Sequence, residues 1–386
     1  MHHKPLILVN KSTPLAVELF STLGETIPLE SSEFTREAIR GADIIIVRSE
    51  THVGPDLLEG SRVRFVGTVT IGTDHVDLEY LKSKGIRFAN APGSNANSVK
   101  EYIVAALLIW SERTGLPLQG KKIGIVGVGN VGKKVADAAT ALGMIPLLND
   151  PPRARAEGDG KFLSLDGLME SDIVTLHVPL TETGPDGTYH LFNSKRIACM
   201  KPGSVLINTA RGGVVDSEAL KQALASSHLS TAIVDVWEDE PFFDPQLLDL
   251  VLIGTPHIAG YSMDGKLNAV KAVYDQVCNY LNIPVPVDST GTDRRDPVRI
   301  PIPRDVRDTW TIVSLAVQKA YDIAQDDCSL RSIKSLAREI RGRSFASLRS
   351  NYRSRWEFPH YVIESGREQE TARRILQMLG FRTNPS

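Results

Sequence analysis

An arginine, a glutamate and a histidine stand at the same kind of place in this chain, just behind a short apolar run. Arg211 follows the run at 205–207 in Asn208-Thr-Ala-Arg211-Gly-Gly213. Glu240 follows the run at 233–236 in Asp235-Val-Trp-Glu-Asp-Glu240-Pro. His257 follows the run at 251–253 in Thr255-Pro-His257-Ile-Ala-Gly260. Oxidising an alcohol needs a base to take the hydroxyl proton while hydride leaves carbon. Histidine suits that task, with an ordinary pKa of about 6.5. A carboxylate beside it orients the ring and stabilises the imidazolium. An arginine grips a substrate carboxylate through two N–H groups and polarises the neighbouring carbon centre. If the three apolar runs are strands of one open parallel sheet, all three residues lie outside its carboxyl edge, where such sheets bind ligands.

A second constellation supplies a partner for the hydride. Gly127-Val-Gly129-Asn-Val-Gly132 is a full G-x-G-x-x-G between an apolar run at 123–126 and a helical pattern with Val131, Val135, Ala138 and Leu142 on one face. Gly127 permits a tight turn, Gly129 lets the backbone approach a pyrophosphate, and Gly132 lets the helix pack closely on the sheet. Asn130 and Val131 open that helix, whose free N–H groups and dipole attract phosphate. Asp150 lies 23 residues past Gly127. A carboxylate there accepts hydrogen bonds from ribose hydroxyls and repels a 2′-phosphate, which predicts NAD as cofactor over NADP. Arg153 nearby would soften that preference.

Elements must hold these residues in place. Apolar runs at 6–9, 44–47, 65–66 and 86–88 read as strands of one small α/β unit. Runs at 123–126, 145–148, 173–176, 205–207, 233–236 and 251–253, with helices between, read as a second, doubly wound sheet. Between them, Ser98-Val-Lys-Glu101 has the form of a capping box. Val99, Tyr102, Ile103, Ala106, Leu107 and Trp110 follow at helical spacing, and Gly115 and Pro117 mark the end. A helix near 266–280 returns the chain to the first unit, and Pro-rich sequence around 283–303 reads as a linker. Beyond it we expect helices near 306–321, 345–352 and 369–379, and a strand near 361–363. The fold class is therefore α/β: two Rossmann-like, doubly wound parallel-sheet domains followed by a C-terminal α+β domain. The expected boundaries are 1–95 with 265–286 for a substrate-binding lid, 96–264 for the NAD-binding domain, and 287–386 for the tail, which is expected to be a dimerisation domain.

Composition narrows the function classes. Length 386, 42% hydrophobic and 23% charged residues describe a globular chain of more than one domain. A net charge of −2 argues against nucleic acid or a membrane surface as partner. The longest clean apolar run, 102–110, is far short of the roughly 20 residues a bilayer requires. The start of the chain lacks a signal-peptide pattern. Cys199, Cys278 and Cys328 are an odd, widely spaced trio, which suits reduced cytoplasmic thiols and neither a disulfide framework nor a metal site. Residues 291–386 carry 18 Lys and Arg against 12 Asp and Glu. Arg349, Arg353 and Arg355 in this basic tail are candidates to meet an anion or a second subunit. Trp310, Val313, Val317 and Tyr321 form an apolar stripe, to be buried within the tail or across a subunit boundary.

Together, the glycine loop, Thr209-Ala-Arg211-Gly-Gly-Val-Val-Asp216, Asp235-Val-Trp-Glu-Asp-Glu240-Pro and Pro256-His257-Ile-Ala-Gly260 resemble the D-2-hydroxyacid dehydrogenase family. Val47-Arg48-Ser49 and Gly72-Thr-Asp74-His-Val-Asp77 resemble its substrate-domain loops. The resemblance implies catalytic roles for Arg211, Glu240 and His257, cofactor contacts from Asp150, Asp235 and Gly260, and substrate contacts from Ser49, Thr70 and Tyr261. Val178 departs from the Thr of some relatives, so a backbone contact to NAD survives there and a hydroxyl contact does not. Further stretches, among them 65–75, Asp150-Pro-Pro152, Gly260-Tyr261-Ser-Met-Asp-Gly-Lys266 and Leu348-Arg-Ser-Asn351-Tyr352, are similar to one branch with an extra C-terminal domain. That implies a homodimer that oxidises 4-phospho-D-erythronate in vitamin B6 synthesis. Arginines from outside the nucleotide unit are expected to hold the phosphate, and Arg48 is a candidate because it ends the 44–47 strand, where the first two units should face each other across a cleft. The alternatives are another phosphorylated 2-hydroxyacid, such as 3-phosphoglycerate, or a non-catalytic NADH sensor resembling family members that act as corepressors.

Overall fold

The computed structural model describes residues 4–286 and 296–384. The chain divides into two compact units, 1–95 with 262–296 and 96–261 with 297–386. The predicted boundary at 286–287 abuts residues 287–295, which lie outside the described residues.

The first unit is built on a parallel five-stranded sheet in the order β2-β1-β3-β4-β5. Its strands are β1 (Leu6–Asn10), β2 (Glu25–Leu29), β3 (Ile44–Val47), β4 (Phe65–Thr68) and β5 (Arg87–Ala89). Ile44, Ile45, Ile46 and Val47 are all buried, as expected of a central strand covered on both faces. Strand β2 has no apolar run to betray it. It is a largely exposed edge strand, and Pro28 is tolerated there because an edge needs fewer ladder donors. The helix Met263–Leu281 belongs to this unit, and its Val270, Val273, Tyr274 and Val277 share a core with Ile7, Val9 and Ile46. Gly67 allows that contact: a Cβ there would stand 2.6 Å from Val273 Cγ1.

The second unit holds a parallel six-stranded sheet in the order β11-β10-β9-β8-β6-β7. Its strands are β6 (Lys122–Val126), β7 (Ile145–Asn149), β8 (Ile173–Leu176), β9 (Val205–Asn208), β10 (Thr231–Val234) and β11 (Ile253–Gly254). From β6 the chain winds outward one way to β7 and the other way through β8 to β11. The strand order therefore reverses at β6, and the crevice for a ligand opens there.

The tail departs from its expected independence. It forms a small parallel sheet, β12 (Val298–Pro301), β13 (Tyr361–Glu364) and β14 (Arg382–Thr383), with helices Thr309–Ala320, Ile323–Ser332, Arg338–Ser350 and Glu370–Leu379. It is not a compact unit of its own. Ile312, Val313, Val317, Tyr321, Leu376 and Phe381 share one core with Tyr102, Ile103, Leu107 and Trp110 of the helix Ala96–Thr114. Val313, Val317 and Tyr321 of the apolar stripe are thus buried inside the chain, and Trp310 packs against the same core. The supposed capping box is corrected too. The helix begins at Ala96, and Ser98 and Glu101 lie inside it. Ser98 Oγ donates to Glu357 Oε1 at 2.8 Å, and Glu101 Oε1 accepts the Phe358 N–H at 2.8 Å. The residues that looked like a helix start instead fasten the tail.

Candidate active site

Two of the three glycines of the loop, Gly127 and Gly132, make the tight turn and the close helix packing that their spacing suggests. Gly127 has φ +86°, and a Cβ there would stand 2.7 Å from the His177 carbonyl oxygen. A Cβ on Gly132 would stand 2.0 Å from the Gly127 carbonyl oxygen, so the helix Asn130–Ala141 sits directly against the turn. At Gly129 no atom lies within 4 Å of the Cβ position, which leaves room for a ligand to approach the backbone. No side chain caps this twelve-residue helix, so the N–H groups of its first turn, from Asn130, Val131 and Gly132, are available to a pyrophosphate. Asp150 closes β7 and accepts the Val128 N–H at 2.8 Å and the Arg153 N–H at 3.1 Å. Its carboxylate is thereby pinned beside the glycine turn. Arg153 is engaged by Glu157 and by the Val128 carbonyl, so its charge is largely answered within the chain. These residues fit a dinucleotide carrying an unphosphorylated ribose.

His177, assigned no role from sequence, links this loop to the next. It follows β8, with Nε2 3.0 Å from Thr175 Oγ1 and Nδ1 3.4 Å from Thr209 Oγ1. Burial pushes its pKa down to about 3, so it is a neutral strut between the glycine turn and the Arg211 loop. The neighbouring Val178 has a methyl 2.9 Å from the Gly127 Cβ position, so it packs on the glycine turn.

Arg211 leaves β9 through a turn tied by Asn208, whose side chain donates to the Arg211 carbonyl at 2.9 Å and accepts the Ala210 N–H at 3.0 Å. The Arg211 Nη1 donates to the Ala210 carbonyl at 2.8 Å. A Cβ on Gly212 would stand 2.0 Å from the Trp237 carbonyl oxygen. The Arg211 turn therefore rests directly on the loop that carries Glu240.

Glu240 and His257 meet. Glu240 Oε2 is 2.7 Å from His257 Nδ1, and Oε1 accepts the Trp237 N–H at 2.8 Å. Burial opposes ionisation of Glu240, but His257, the Trp237 N–H and Arg349 outweigh it and hold the carboxyl below its ordinary value. An ionised Glu240 accepts from Nδ1–H, which leaves the imidazole lone pair on Nε2. His257 sits at φ +56°, a left-handed conformation unusual for a side chain of this size.

The surrounding loop is held on every side. Asp235 is buried; its Oδ1 accepts from Thr255 Oγ1 at 2.6 Å and Ile258 N at 2.8 Å, and its Oδ2 from Ala259 N at 2.9 Å. Burial pushes this carboxyl up, against the pull of His257 and those donors. The resemblance makes Asp235 a cofactor contact. In the structure both its oxygens hold the His257 loop, because the carboxylate lies beneath that loop's backbone N–H groups. Trp237 Nε1 donates to the Thr255 carbonyl at 2.9 Å, and Tyr102 Oη lies 2.8 Å from Thr255 Oγ1.

The three tail arginines separate. The Arg349 guanidinium lies 5.9 Å from the centre of the Tyr261 ring and lowers Glu240. Arg353 pairs with Asp326 and donates to the Asp322 carbonyl at 2.8 Å. Arg355 is buried and reaches the carbonyls of Tyr261, Ser98 and Ala259. Arg353 and Arg355 are therefore both engaged within the chain, Arg353 half-exposed beside Asp326 and Arg355 in the interior.

In the first unit, Arg48 and Ser49 follow β3, and Thr70 follows the adjacent β4. Arg48 donates to Ser12 Oγ at 2.7 Å and stands 3.7 Å from Glu50; Ser49 is exposed. Thr70 Oγ1 donates to the Gly72 carbonyl at 2.9 Å and lies 2.8 Å from Thr68 Oγ1. Lys266, which the sequence reading gave no role, has its pKa lowered by burial and then by the charge of Arg48. Among the described residues no cluster of His, Cys, Asp and Glu is arranged to hold a metal ion, and no helix is long and apolar enough to cross a membrane.

Comparison with known proteins agrees with this geometry. Residues 100–259 match the family model described as D-isomer specific 2-hydroxyacid dehydrogenase, NAD binding domain. A protein named erythronate-4-phosphate dehydrogenase from Chromohalobacter salexigens is 43% identical over 98% of this chain and 99% of its own. One of the same name from Salinibacter ruber is 44% identical over 92% of this chain and 93% of its own. The crystal structure of D-lactate dehydrogenase from Aquifex aeolicus, complexed with NAD and lactic acid, superposes with TM-score 0.60 at 28% identity, covering 72% of this chain and 95% of that one. The chain therefore belongs to the erythronate-4-phosphate dehydrogenases, an NAD-dependent branch of the D-2-hydroxyacid dehydrogenase family.

Proposed function

We propose that this enzyme oxidises the C2 hydroxyl of 4-phospho-D-erythronate to (R)-3-hydroxy-2-oxo-4-phosphooxybutanoate, on the route to pyridoxal 5′-phosphate. The observation that carries the reading is the 2.7 Å contact between Glu240 and His257 beside a dinucleotide loop, in a chain whose full-length relatives bear that substrate's name. Held by the glycine turn and Asp150, NAD would supply the acceptor for the hydride from C2. His257 Nε2 accepts the C2 hydroxyl proton, and Glu240 stabilises the imidazolium that results. Arg211 grips the substrate carboxylate and polarises the C2 oxygen as it becomes a carbonyl. Asn130, Val131 and Gly132 bind the pyrophosphate and Asp150 the ribose; Val178 and Gly260 offer backbone groups to the nicotinamide half. Ser49, Thr70 and Tyr261 orient the substrate hydroxyls and carboxylate. Arg48 takes the phosphate, with Lys266 adding charge.

The test is turnover of a panel of 2-hydroxyacids with NAD and with NADP. Selective reduction of NAD by 4-phospho-D-erythronate is expected. Preference for 3-phosphoglycerate would move the substrate assignment, and tight NADH binding without turnover on any acid would support a sensor.

A homodimer acting in the cytoplasm is part of the same proposal. The three cysteines are free thiols, which suits a reducing compartment. With the tail's apolar stripe consumed internally, the dimer surface falls to outer residues such as Ile340 and Met378, both exposed. Removing the tail would strip the core of the second unit, so surface changes test the point more cleanly. Light scattering should show a dimer that weakens in Ile340→Lys/Met378→Lys; an unchanged dimer would place the interface elsewhere.

A further inference from the structure

We propose that Arg355, in the C-terminal tail, is a positioning residue for proton transfer: it fixes the backbone of the loop that follows His257, and with it His257 and Tyr261. This rests on the reading that His257 is the proton acceptor.

Arg355 is 4% exposed. Its Nε donates to the Tyr261 carbonyl at 3.0 Å, and its Nη2 to the carbonyls of Ser98 at 3.2 Å and Ala259 at 3.4 Å. Nη1 stands 3.5 Å from Glu101 Oε2, and the guanidinium carbon lies 4.1 Å from the centre of the Tyr321 ring. The planar fork thus joins three carbonyls on two backbone segments and the Glu101 carboxyl at once. A lysine ammonium has neither the reach nor the geometry for that set.

The acceptors lie on the stretch already held from the other side by Asp235, which takes the N–H groups of Ile258 and Ala259. The Ala259 residue is therefore gripped twice, its N–H by a buried carboxylate and its C=O by a buried guanidinium. Two residues earlier, His257 stands at φ +56°. A left-handed conformation in a residue other than glycine is strained and persists only where the surroundings over-determine it. Asp235 and Arg355 together are that over-determination. If the guanidinium goes, the loop can relax and carry Nε2 off its line to the substrate hydroxyl, and a displacement near 1 Å costs roughly 100-fold in rate.

The experiment compares full-length Arg355→Lys with the unmodified enzyme. The readouts are NAD affinity, kcat per NAD-binding site, KM, and the acid limb of the kcat pH profile. We expect kcat per site to fall by ~10- to 100-fold, with the acid limb displaced. NAD affinity should stay within about twofold, because the glycine turn is untouched. A purely structural role would lower the melting temperature and the yield but leave kcat per site and the pH limb alone; that result overturns the proposal. If Arg355→Lys does not fold, Tyr321→Leu decides, since it removes the ring that orients the guanidinium. A lowered kcat with intact NAD affinity upholds the proposal and an unchanged kcat overturns it. His257→Ala measured alongside separates the two readings. If it retains turnover, the acid–base assignment fails. If it is inactive while Arg355→Lys turns over normally, only the positioning role fails.

Discussion

The His257 loop and the Arg48 edge are built to different tolerances. Around His257, Asp235, Glu240, Trp237, Tyr102 and Arg355 hold side chain or backbone from several directions, most of them buried. Around Arg48, one hydrogen bond to Ser12 and a looser approach to Glu50 hold a side chain at the end of a strand, and Ser49 beside it is exposed. The difference follows from what each must do. Proton transfer succeeds only at hydrogen-bond distance and the right angle. Coulomb attraction falls off only as the inverse of distance, so a cation that meets a phosphate works over a wider range of positions. The first region should therefore fail sharply when altered, and the second gradually.

The sharpest expected failure is His257→Ala. Turnover should fall by at least ~100-fold, the usual scale for losing a general base. NAD affinity should persist, since the glycine turn and Asp150 do not depend on the imidazole. Near-normal kcat with saturating substrate would remove His257 from the mechanism and take the contrast with it.

What could be read from sequence divides along the same line. The glycine loop, Arg211, Glu240 and His257 were legible because each lies in a short motif whose spacing alone places it at a strand's carboxyl end. The clamp around His257 was not. Ser98 and Glu357, which fasten the tail, stand 259 residues apart, and nothing local marks them as partners. Ser98 and Glu101 even imitate a helix start while serving another purpose. Arg349, Arg353 and Arg355 are equivalent in a composition count. Only the packing sends one over Tyr261, one to Asp326 and one into the interior. The tail's separate charge suggested a separate domain, yet its apolar residues were already matched to those of the helix Ala96–Thr114. Charge patterning reports on surface, and the core is decided by long-range apolar contacts.

A smaller loss is expected at Arg48. Arg48→Ala should reduce efficiency on 4-phospho-D-erythronate by ~1.5–3 kcal/mol, the range for a charged hydrogen bond, or about 10- to 150-fold. On unphosphorylated D-erythronate the loss should be slight. Lys266→Ala should follow the same pattern more weakly, because its charge is already disfavoured by burial and by Arg48. Equal losses on both compounds would assign Arg48 to folding or to carboxylate binding. Arg353→Ala is the control: its guanidinium pairs with Asp326, so any loss should be shared by both substrates and accompanied by lower stability.

The finest distinction lies in the turnover of Glu240→Gln. Glu240 is held below its ordinary carboxyl value partly by the charge of protonated His257 and by their hydrogen bond. Such coupling is mutual: ionised Glu240 favours the imidazolium by the same interaction. Glutamine keeps the shape of the side chain and removes the charge. The imidazolium formed as the hydroxyl proton arrives then has no anion beside it, while the amide oxygen still orients the ring. In the oxidation direction kcat should therefore fall, and a loss of about 1.4 kcal/mol of stabilisation corresponds to about tenfold. NAD affinity should persist, because the glycine turn is untouched. An unchanged kcat would mean that Glu240 acts on His257 through geometry alone, and the charge in the pair would then have no part in the transfer.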